Sequence, residues 1–224
     1  MSNELILFIS AAVTVSMVFV AARLGTKWLF GIVGLNLILI NIFGSKLIEV
    51  FGFVTNAGNI FYACAFLATH FLLERRDVRY ARQTILFGVG TVIAFVALSQ
   101  LAVALLGAPS GEGTQNALQT VFSFSPRIAI ASMLAYIFAQ HVNISLYAWL
   151  KVKTKDRWLW VESNGANIIA QLVDSSLFFT IAFLDLPGDT LLQAIVVGWV
   201  IKSFVVMLGV PFLYFDRYLV RRGR

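Results

Sequence analysis

Asp174 and Lys202 are an acid and a base that lie inside long apolar stretches of the chain. A carboxylate near the centre of a membrane helix costs ~2.5–3.5 kcal/mol on insertion scales, so Asp174 must face protein or water rather than lipid. The two stretches are joined by a short polar turn at residues 185–189, which makes them antiparallel neighbours. At a rise of about 1.5 Å per residue, Asp174 lies ~15 Å and Lys202 ~18 Å from the turn end of its helix. This matching depth predicts that the two side chains pair, either as a structural ion pair or as a pair that opens for a polar ligand.

Three amide side chains precede Asp174 on the same predicted helix. Asn164, Asn167 and Gln171 are spaced three and four residues apart, and the carboxylate follows three residues later, so all four lie on one face. Amides and a carboxylate together offer hydrogen-bond donors and acceptors to a polar ligand. Ionisable groups inside a membrane helix usually mark a ligand or ion pathway, and we interpret this face in that way, with a purely structural polar face as the alternative.

The preceding apolar stretch carries a second polar stripe, in which successive residues are four, four, three and four positions apart: Ser132, Tyr136, Gln140, Asn143 and Tyr147. Two striped helices in succession predict a polar cavity between them and the last helix, which carries Lys202. Arg127 lies in the first turn of the first striped helix, where the helix dipole disfavours a cation. We therefore expect an anionic or carbonyl partner for Arg127, with a side chain that snorkels to the surface as the alternative.

His70 and Lys46 are further candidate binding residues. His70 lies four residues before Glu74 near the end of its apolar stretch, where a hydrogen bond between helices is the simpler alternative. Lys46 is the single lysine in connections that otherwise carry acidic residues, so membrane orientation alone does not explain it. Two isolated histidines on different helices make a poor metal site, and the motifs H-E-x-x-H and G-x-S-x-G do not occur. We therefore predict a protein that is not an enzyme and that uses no metal or cofactor.

The composition places these residues in an integral membrane protein. The 224 residues are 59% hydrophobic and 12% charged, with a mean hydropathy of +0.86, which excludes an ordinary soluble domain. We predict an all-α, polytopic membrane helix bundle that forms one domain over residues 1–224. A span needs about 20 mostly apolar residues, and seven stretches qualify: residues 4–22, 28–45, 57–73, 83–107, 126–148, 164–184 and 190–215. Glu162, Ser163 and Asn164 are predicted to open and cap the sixth of these spans.

Basic residues cluster at every second end of these stretches, and this pattern predicts the orientation in the membrane. Because basic residues stay on the cytoplasmic side, we place the N-terminus outside and the C-terminus in the cytoplasm, in a multi-pass protein of the cell membrane. The net charge of +6 follows from these clusters and does not indicate nucleic-acid binding. The clusters are Arg23 and Lys27; Arg75, Arg76, Arg79 and Arg82; Lys151, Lys153, Lys155 and Arg157; and Arg217, Arg221, Arg222 and Arg224.

Two connections carry local signals. Residues 107–113 are polar and rich in glycine, and we interpret them as a plain loop because no lysine follows the glycines as it would in a phosphate loop. Ser125 and Pro126 are typical of an N-cap followed by the first helical residue.

Many of these residues occur in an order that a known family shares. The run from Pro126 to Tyr136, followed by Gln140, resembles the central motif of the queuosine precursor transporter family, also called the vitamin uptake transporter family. The first stretch is similar to an extra N-terminal helix that some members add to a six-helix core. The similarity covers roughly residues 35–205 and includes Asn41, Lys46, Gly52, Gly58, Asn59, Glu74, Lys151, Thr154, Trp160, Asn164, Gln171, Asp174 and Lys202.

The resemblance implies a small helical carrier that imports 7-cyano-7-deazaguanine or a related 7-deazaguanine base, which feeds queuosine modification of tRNA. A guanine-like edge offers two adjacent N–H donors and one carbonyl. Asp174 can accept both donors, while Lys202, Arg127 or an amide meets the carbonyl. Tyr136 is placed to stack on an aromatic ring.

The chain departs from the family pattern at His70 and Asn143, where members usually carry aspartate. The loss of two acidic groups keeps a carrier of another small heterocycle open as an alternative. A vitamin-binding membrane subunit of an ATP-driven uptake system stays open as well, and so does a membrane scaffold. We expect a small-molecule partner, contact with the lipid bilayer and no nucleic-acid partner, and a homodimer stays possible.

Overall fold

The computed structural model describes residues 2–44, 46–105, 112–122, 126–184 and 187–222. Over these ranges the chain forms eight α-helices and one β-hairpin. The elements in chain order are α1 (Asn3–Leu24), α2 (Thr26–Phe43), β1 (Leu47–Val50), β2 (Phe53–Asn56), α3 (Asn59–Arg75), α4 (Val78–Ala104), α5 (Glu112–Val121), α6 (Pro126–Lys153), α7 (Leu159–Ala182) and α8 (Gly188–Arg222).

The long helices confirm the predicted all-α polytopic bundle. Six of the described helices, α1, α2, α4, α6, α7 and α8, are long and apolar enough to cross a membrane. The remaining predicted span, residues 57–73, corresponds to α3, which has 17 residues and extends ~26 Å. Since the hydrocarbon core of a bilayer is about 30 Å thick, a seventh crossing through α3 stays a prediction, as does the orientation of the bundle.

The helix α3 lies at the centre of the bundle. It contacts α1, α2, α4, α6 and α8, and nearly all of its side chains are buried. A helix that is apolar on all sides can only be accommodated in such an interior position. The polar side chains of α3 must therefore find partners on the surrounding helices.

Side-chain caps explain where several helices begin. Ser2 and Asp77 precede α1 and α4, and each accepts a hydrogen bond from the backbone N–H three residues further on, at 3.4 Å and 2.7 Å. Pro126 is the first residue of α6, as predicted, because its missing N–H is not needed in the first turn. Ser125, the predicted cap of α6, lies outside the described residues.

Two predicted boundaries need correction. The sixth span was expected to begin at residue 164, but α7 begins at Leu159, so Glu162, Ser163 and Asn164 lie inside the helix and do not cap it. The apolar stretch underestimates this helix because its first turns carry polar side chains that are nevertheless buried. Of the predicted loop at 107–113, residues 107–111 lie outside the described ranges, and residues 112 and 113 begin α5. Residues 185 and 186 of the predicted turn before α8 also lie outside them.

The hairpin β1–β2 was not predicted from the apolar pattern. Its strands are antiparallel, with Val50 opposite Phe53. The two turn residues, Phe51 and Gly52, have φ of 52° and 78°, the left-handed conformation that a tight hairpin turn requires. The hairpin also contacts the start of α1, where Glu4 accepts a hydrogen bond from the backbone N–H of Phe51 at 3.1 Å. It thus connects α2 to α3 and fixes the position of α1.

Candidate functional site

Asp174 and Lys202 form the predicted ion pair. Lys202 Nζ lies 2.6 Å from Asp174 Oδ2 and 3.3 Å from the Oγ of Ser175. Tyr62 of α3 donates a hydrogen bond to the other carboxylate oxygen, Asp174 Oδ1, and its ring lies 4.9 Å from Lys202 Nζ. The pair is deeply buried, with 2% of Asp174 and 4% of Lys202 exposed. Both oxygens of the carboxylate are therefore engaged, and three helices meet at this point.

A glycine allows α8 to lie close to α7 beside this pair. Gly198 precedes Lys202 by one helical turn, and a Cβ at this position would lie 3.2 Å from the ring of Phe179 and 3.5 Å from Ser175 Oγ. A contact of 3.2 Å requires the ring to move. The close approach that glycine permits places Lys202 within hydrogen-bonding distance of Asp174.

The amide stripe, Asn164, Asn167 and Gln171, occupies the buried face of α7 on the N-terminal side of Asp174. All three side chains are at most 1% exposed. Gln171 Nε2 donates to Asn167 Oδ1 at 3.2 Å. Among the described residues, the other polar atoms of the stripe have no hydrogen-bond partner: Asn164 Nδ2, Asn164 Oδ1, Asn167 Nδ2 and Gln171 Oε1.

His70 belongs to a chain of hydrogen bonds between side chains that joins α3, α6 and α7. Asn143 Nδ2 donates to Gln140 Oε1 at 3.4 Å, which leaves its Oδ1 to accept from His70 Nε2 at 2.9 Å. Ser163 Oγ then donates to His70 Nδ1 at 2.8 Å, and Gln140 Nε2 donates to Thr69 Oγ1 at 3.2 Å. These side chains are all fully buried. The structure therefore joins the polar stripe of α6 to Ser163 of α7 through His70, which takes the interhelical role that was the simpler alternative.

Tyr136 is held by the neighbouring helix α4. Its hydroxyl donates to the backbone carbonyl of Thr84 at 3.1 Å, and its ring packs edge-on against Tyr62 with the ring centres 6.2 Å apart. Tyr136 thereby places an aromatic ring next to the residue that binds Asp174. Ser132, one turn earlier on α6, is half-buried.

The two remaining predicted cations lie apart from the buried pair. Arg127 Nε donates to the backbone carbonyl of Ile181, near the end of α7, at 2.8 Å. The predicted carbonyl partner of Arg127 is thus confirmed. Lys46 is exposed at the start of the hairpin and is not part of the buried cluster.

A second group of charged residues joins the ends of the helices on the predicted cytoplasmic side. Glu74 accepts hydrogen bonds from Arg217 Nε at 2.6 Å, Lys151 Nζ at 2.6 Å and the Tyr147 hydroxyl at 2.8 Å. We call this group the inner ion-pair network, and it consists of Glu74, Tyr147, Lys151, Asp156, Glu162 and Arg217, with Arg23, Arg75 and Asp216 beside it.

Arg217 occupies the centre of this network. The carboxylates of Glu74, Asp156 and Glu162 all lie within 4.8 Å of one another, an arrangement that could hold a metal ion. The guanidinium of Arg217 contacts all three, at 2.6, 2.9 and 3.2 Å. It supplies in this conformation the positive charge that a metal would bring.

The role of Tyr62, the bond of Ser163 to His70 and most contacts of the inner network were not predicted from the sequence. Tyr62 and its partner Asp174 are 112 residues apart, and α3 carries no polar periodicity that would draw attention to the tyrosine. The network had a weak signal, because Glu74 and Asp216 stand next to basic clusters. Those clusters were assigned to membrane orientation alone.

Comparison with known proteins identifies the family of the chain. A family model described as "Putative vitamin uptake transporter" matches residues 56–215. The chain belongs to the vitamin uptake transporter family. The matched range contains the ion pair, the amide stripe and the His70 chain, and it excludes α1 and α2. This member of the family is thus a multi-pass membrane protein of a transporter class.

A curated relative supports the assignment to a transporter family. The protein of Bacillus subtilis (strain 168) named "Probable queuosine precursor transporter" is 31% identical over 198 residues, which cover 88% of this chain and 86% of that protein. No solved structure matches the chain.

Proposed function

We propose that the protein imports 7-cyano-7-deazaguanine, or a related 7-deazaguanine base, across the cell membrane. The observation that carries this proposal is the buried pair Asp174–Lys202 beside a face of amides, inside a chain of a transporter family. An ion pair in the middle of a membrane protein usually marks a ligand or ion pathway. The name of the Bacillus subtilis relative supports a queuosine precursor as the substrate.

The chemistry of the site suits such a base. A guanine-like edge presents two adjacent N–H donors, which a carboxylate such as Asp174 accepts, and a carbonyl, which an ammonium or amide N–H meets. Tyr62 and Tyr136 bring two aromatic rings to the same place, against which a planar base can pack. Tyr62 and Lys202 each bond to one oxygen of Asp174, so a base that binds there either shares the carboxylate with them or displaces one of them.

The proposed substrate path runs between α6, α7 and α8. Towards the predicted cytoplasmic side, the His70 chain and the inner ion-pair network join α3, α6, α7 and α8. A base bound near Asp174 would leave on that side only after these contacts separate. A separate groove of about 560 Å³ lies between α1 and α2. Its lining, which includes Met17 and Trp28, is almost entirely apolar, and it lies outside this path.

The test is binding and uptake by the purified full-length protein. We expect 7-cyano-7-deazaguanine to raise the thermal unfolding temperature in detergent, because a ligand that binds the folded state stabilises it by mass action. Guanine, unrelated bases and vitamins serve as comparison ligands. We also expect proteoliposomes that contain this protein alone to accumulate the base. Uptake that requires an added ATP-driven module would instead favour the vitamin-binding subunit, and the absence of any base binding would refute the proposal.

A further inference from the structure

The amide stripe lies between two cross-links that join α3 to α7. Tyr62 bonds to Asp174 at one end, and His70 bonds to Ser163 at the other. The interval is about 12 Å along α3 and ~17 Å along α7, at ~1.5 Å per residue. Close backbone packing of α7 is with α6 and α8, whereas α3 reaches α7 through these long polar side chains. The stripe therefore faces the region where the two helices are bridged rather than packed.

The stripe differs from the buried polar groups on either side of it. The His70 chain uses the donors and acceptors of its members within the protein, and Asp174 has both carboxylate oxygens engaged. The amides of Asn164, Asn167 and Gln171 retain four polar atoms that no described residue meets. A buried donor or acceptor that finds no partner in its own protein destabilises the fold, so its presence points to a partner from outside the chain.

The atoms of Asn167 and Gln171 that lack a partner are complementary, and they belong to side chains that bond to each other. Because the two side chains bond to each other at 3.2 Å, the atoms without a partner are the amide nitrogen of Asn167, which carries two N–H donors, and the carbonyl oxygen of Gln171. Exchanging the nitrogen and oxygen of both amides would again leave one NH2 group and one carbonyl oxygen. This pattern matches the edge of a lactam, which presents a carbonyl next to an N–H.

The charge of the surroundings restricts the ligand further. The stripe is neutral, and the adjacent pair of Asp174 and Lys202 has no net charge when both are ionised. A charged ligand would lose its hydration here without gaining a free counter-ion, whereas a neutral planar ligand loses much less.

We propose that Asn164, Asn167 and Gln171 are the specificity-determining residues of the substrate site and read the lactam edge of a neutral planar heterocycle. Asn167 donates to the ligand carbonyl, Gln171 accepts from the adjacent ring N–H, and Asn164 contacts the next polar group of the ligand. This inference rests on the proposed function. It assigns the carbonyl and the ring N–H of the base to the amides in place of Lys202 and Asp174, so Asp174 keeps its bonds to Lys202 and Tyr62 when the lactam binds.

The test compares two ligands on the full-length protein in detergent. The first is 7-cyano-7-deazaguanine, and the second is its 2,6-diamino analogue, in which an amino group replaces the carbonyl and the adjacent ring nitrogen loses its hydrogen. We expect the analogue to bind at least ~10-fold more weakly, because a site built to hydrogen-bond a group rejects an analogue that lacks it.

Apolar variants test the residues themselves. Each single variant, Asn167→Leu or Gln171→Leu, removes one partner of the hydrogen bond between them and should lower the unfolding temperature without ligand. In the double variant, which removes both partners, we expect the unfolding temperature to stay or rise. The same variants should lose at least ~10-fold in affinity for the lactam base. The matched control is Asn36→Leu, a buried amide of α2 outside the stripe, which should bind as the wild type does.

The outcomes separate the two proposals. If the wild type binds no base, both the proposed function and this inference fail. If the wild type binds the base but accepts the diamino analogue equally well, the function stands and the inference is overturned. The inference is also overturned if both leucine variants keep full affinity, or if they lower the unfolding temperature without changing affinity, because the amides would then serve the fold.

Discussion

The inner ion-pair network and the amide stripe are two buried polar regions of the same helices with opposite properties. In the network, Glu74 has three partners and Arg217 contacts three carboxylates. In the stripe, neutral amides keep polar atoms that no described residue meets. The charges of the network neutralise each other, whereas the neutral amides of the stripe keep donors and acceptors that can bond to a ligand.

This difference indicates a division of roles. Hydrogen bonds between charged groups are about twice as strong as neutral ones, so the network fixes the ends of four helices relative to one another. An amide that lacks a partner contributes nothing to holding helices together. The ion pair of Asp174 and Lys202 lies between these extremes, since its charges are paired as in the network but it stands next to the stripe. Variants that change one region at a time can therefore separate the two roles.

Asp174→Asn should have the largest effect, because it leaves the ammonium of Lys202 buried without a counter-ion. Removal of one partner of a buried ion pair typically costs about 3–5 kcal/mol of folding free energy. We expect a fall of this order, measured by thermal or chemical unfolding in detergent, together with loss of uptake in proteoliposomes.

The control for this variant is the double substitution Asp174→Asn with Lys202→Met. It removes the unpaired charge, so most of the stability should return while uptake stays absent. Recovery of both stability and uptake would show that the pair serves the structure alone.

Glu74→Gln should have the next largest effect and should leave ligand affinity unchanged. It weakens the hydrogen bonds from Arg217 and Lys151, and a hydrogen bond to a charged group contributes about 1.5–3 kcal/mol. Unfolding in detergent should detect this loss, and a thermal-shift titration with the base should show wild-type affinity. The matched control Glu49→Gln makes the same change at an exposed site in the hairpin and should stay within ~0.5 kcal/mol of the wild type. A large loss of affinity in Glu74→Gln would remove the distinction between the two regions.

The sequence predicted the ion pair and not the network for a physical reason. Asp174 and Lys202 lie on consecutive antiparallel helices, so their depth follows from counting residues from one short turn. Glu74, Glu162 and Arg217 lie on three different helices, and α3 is far from the other two along the chain. Which carboxylate meets which cation there depends on how the helices are arranged around α3, and hydropathy does not contain that information.

The early start of α7 has the same origin. The helix begins at Leu159, and the prediction began it at residue 164 because the intervening residues include a glutamate and a serine. Glu162 and Ser163 are fully buried because Arg217 and His70 meet them. An apolar stretch of sequence shows the full extent of a buried helix only where the buried side chains are themselves apolar. Arg127, by contrast, followed the prediction, since the helix dipole at its position requires an acceptor whatever the arrangement of the bundle.

Gly198→Ala should have a smaller effect that tests the closeness of α7 and α8. A methyl group there meets the ring of Phe179 at 3.2 Å. Overpacking of this kind lowers the free energy of unfolding by about 1–3 kcal/mol, and the loss is smaller if the Phe179 ring can move away. The control is Gly90→Ala on α4, where a Cβ meets nothing within 4 Å, so only the helix propensity gain of about 1 kcal/mol remains. We expect Gly198→Ala to be ~1 kcal/mol or more less stable than Gly90→Ala in unfolding experiments. Equal stabilities would mean that Phe179 moves freely and that the distance between Lys202 and Asp174 does not depend on this glycine.

Lys46→Gln should have the smallest effect of the four substitutions, and it tests whether the exposed and the buried cations that the sequence predicted have different roles. Lys46 is exposed beside the hairpin, whereas Lys202 is 4% exposed and bonded to Asp174. Substitution of an exposed charge usually changes stability by less than about 0.5 kcal/mol, and we expect uptake by Lys46→Gln to remain at the wild-type rate. The same substitution at Lys202 should abolish uptake, because it leaves the carboxylate of Asp174 buried without a counter-ion. A severalfold loss of uptake in Lys46→Gln would instead place the hairpin on the substrate path, where a single positive charge near the predicted outer surface meets the base before it reaches the buried pair.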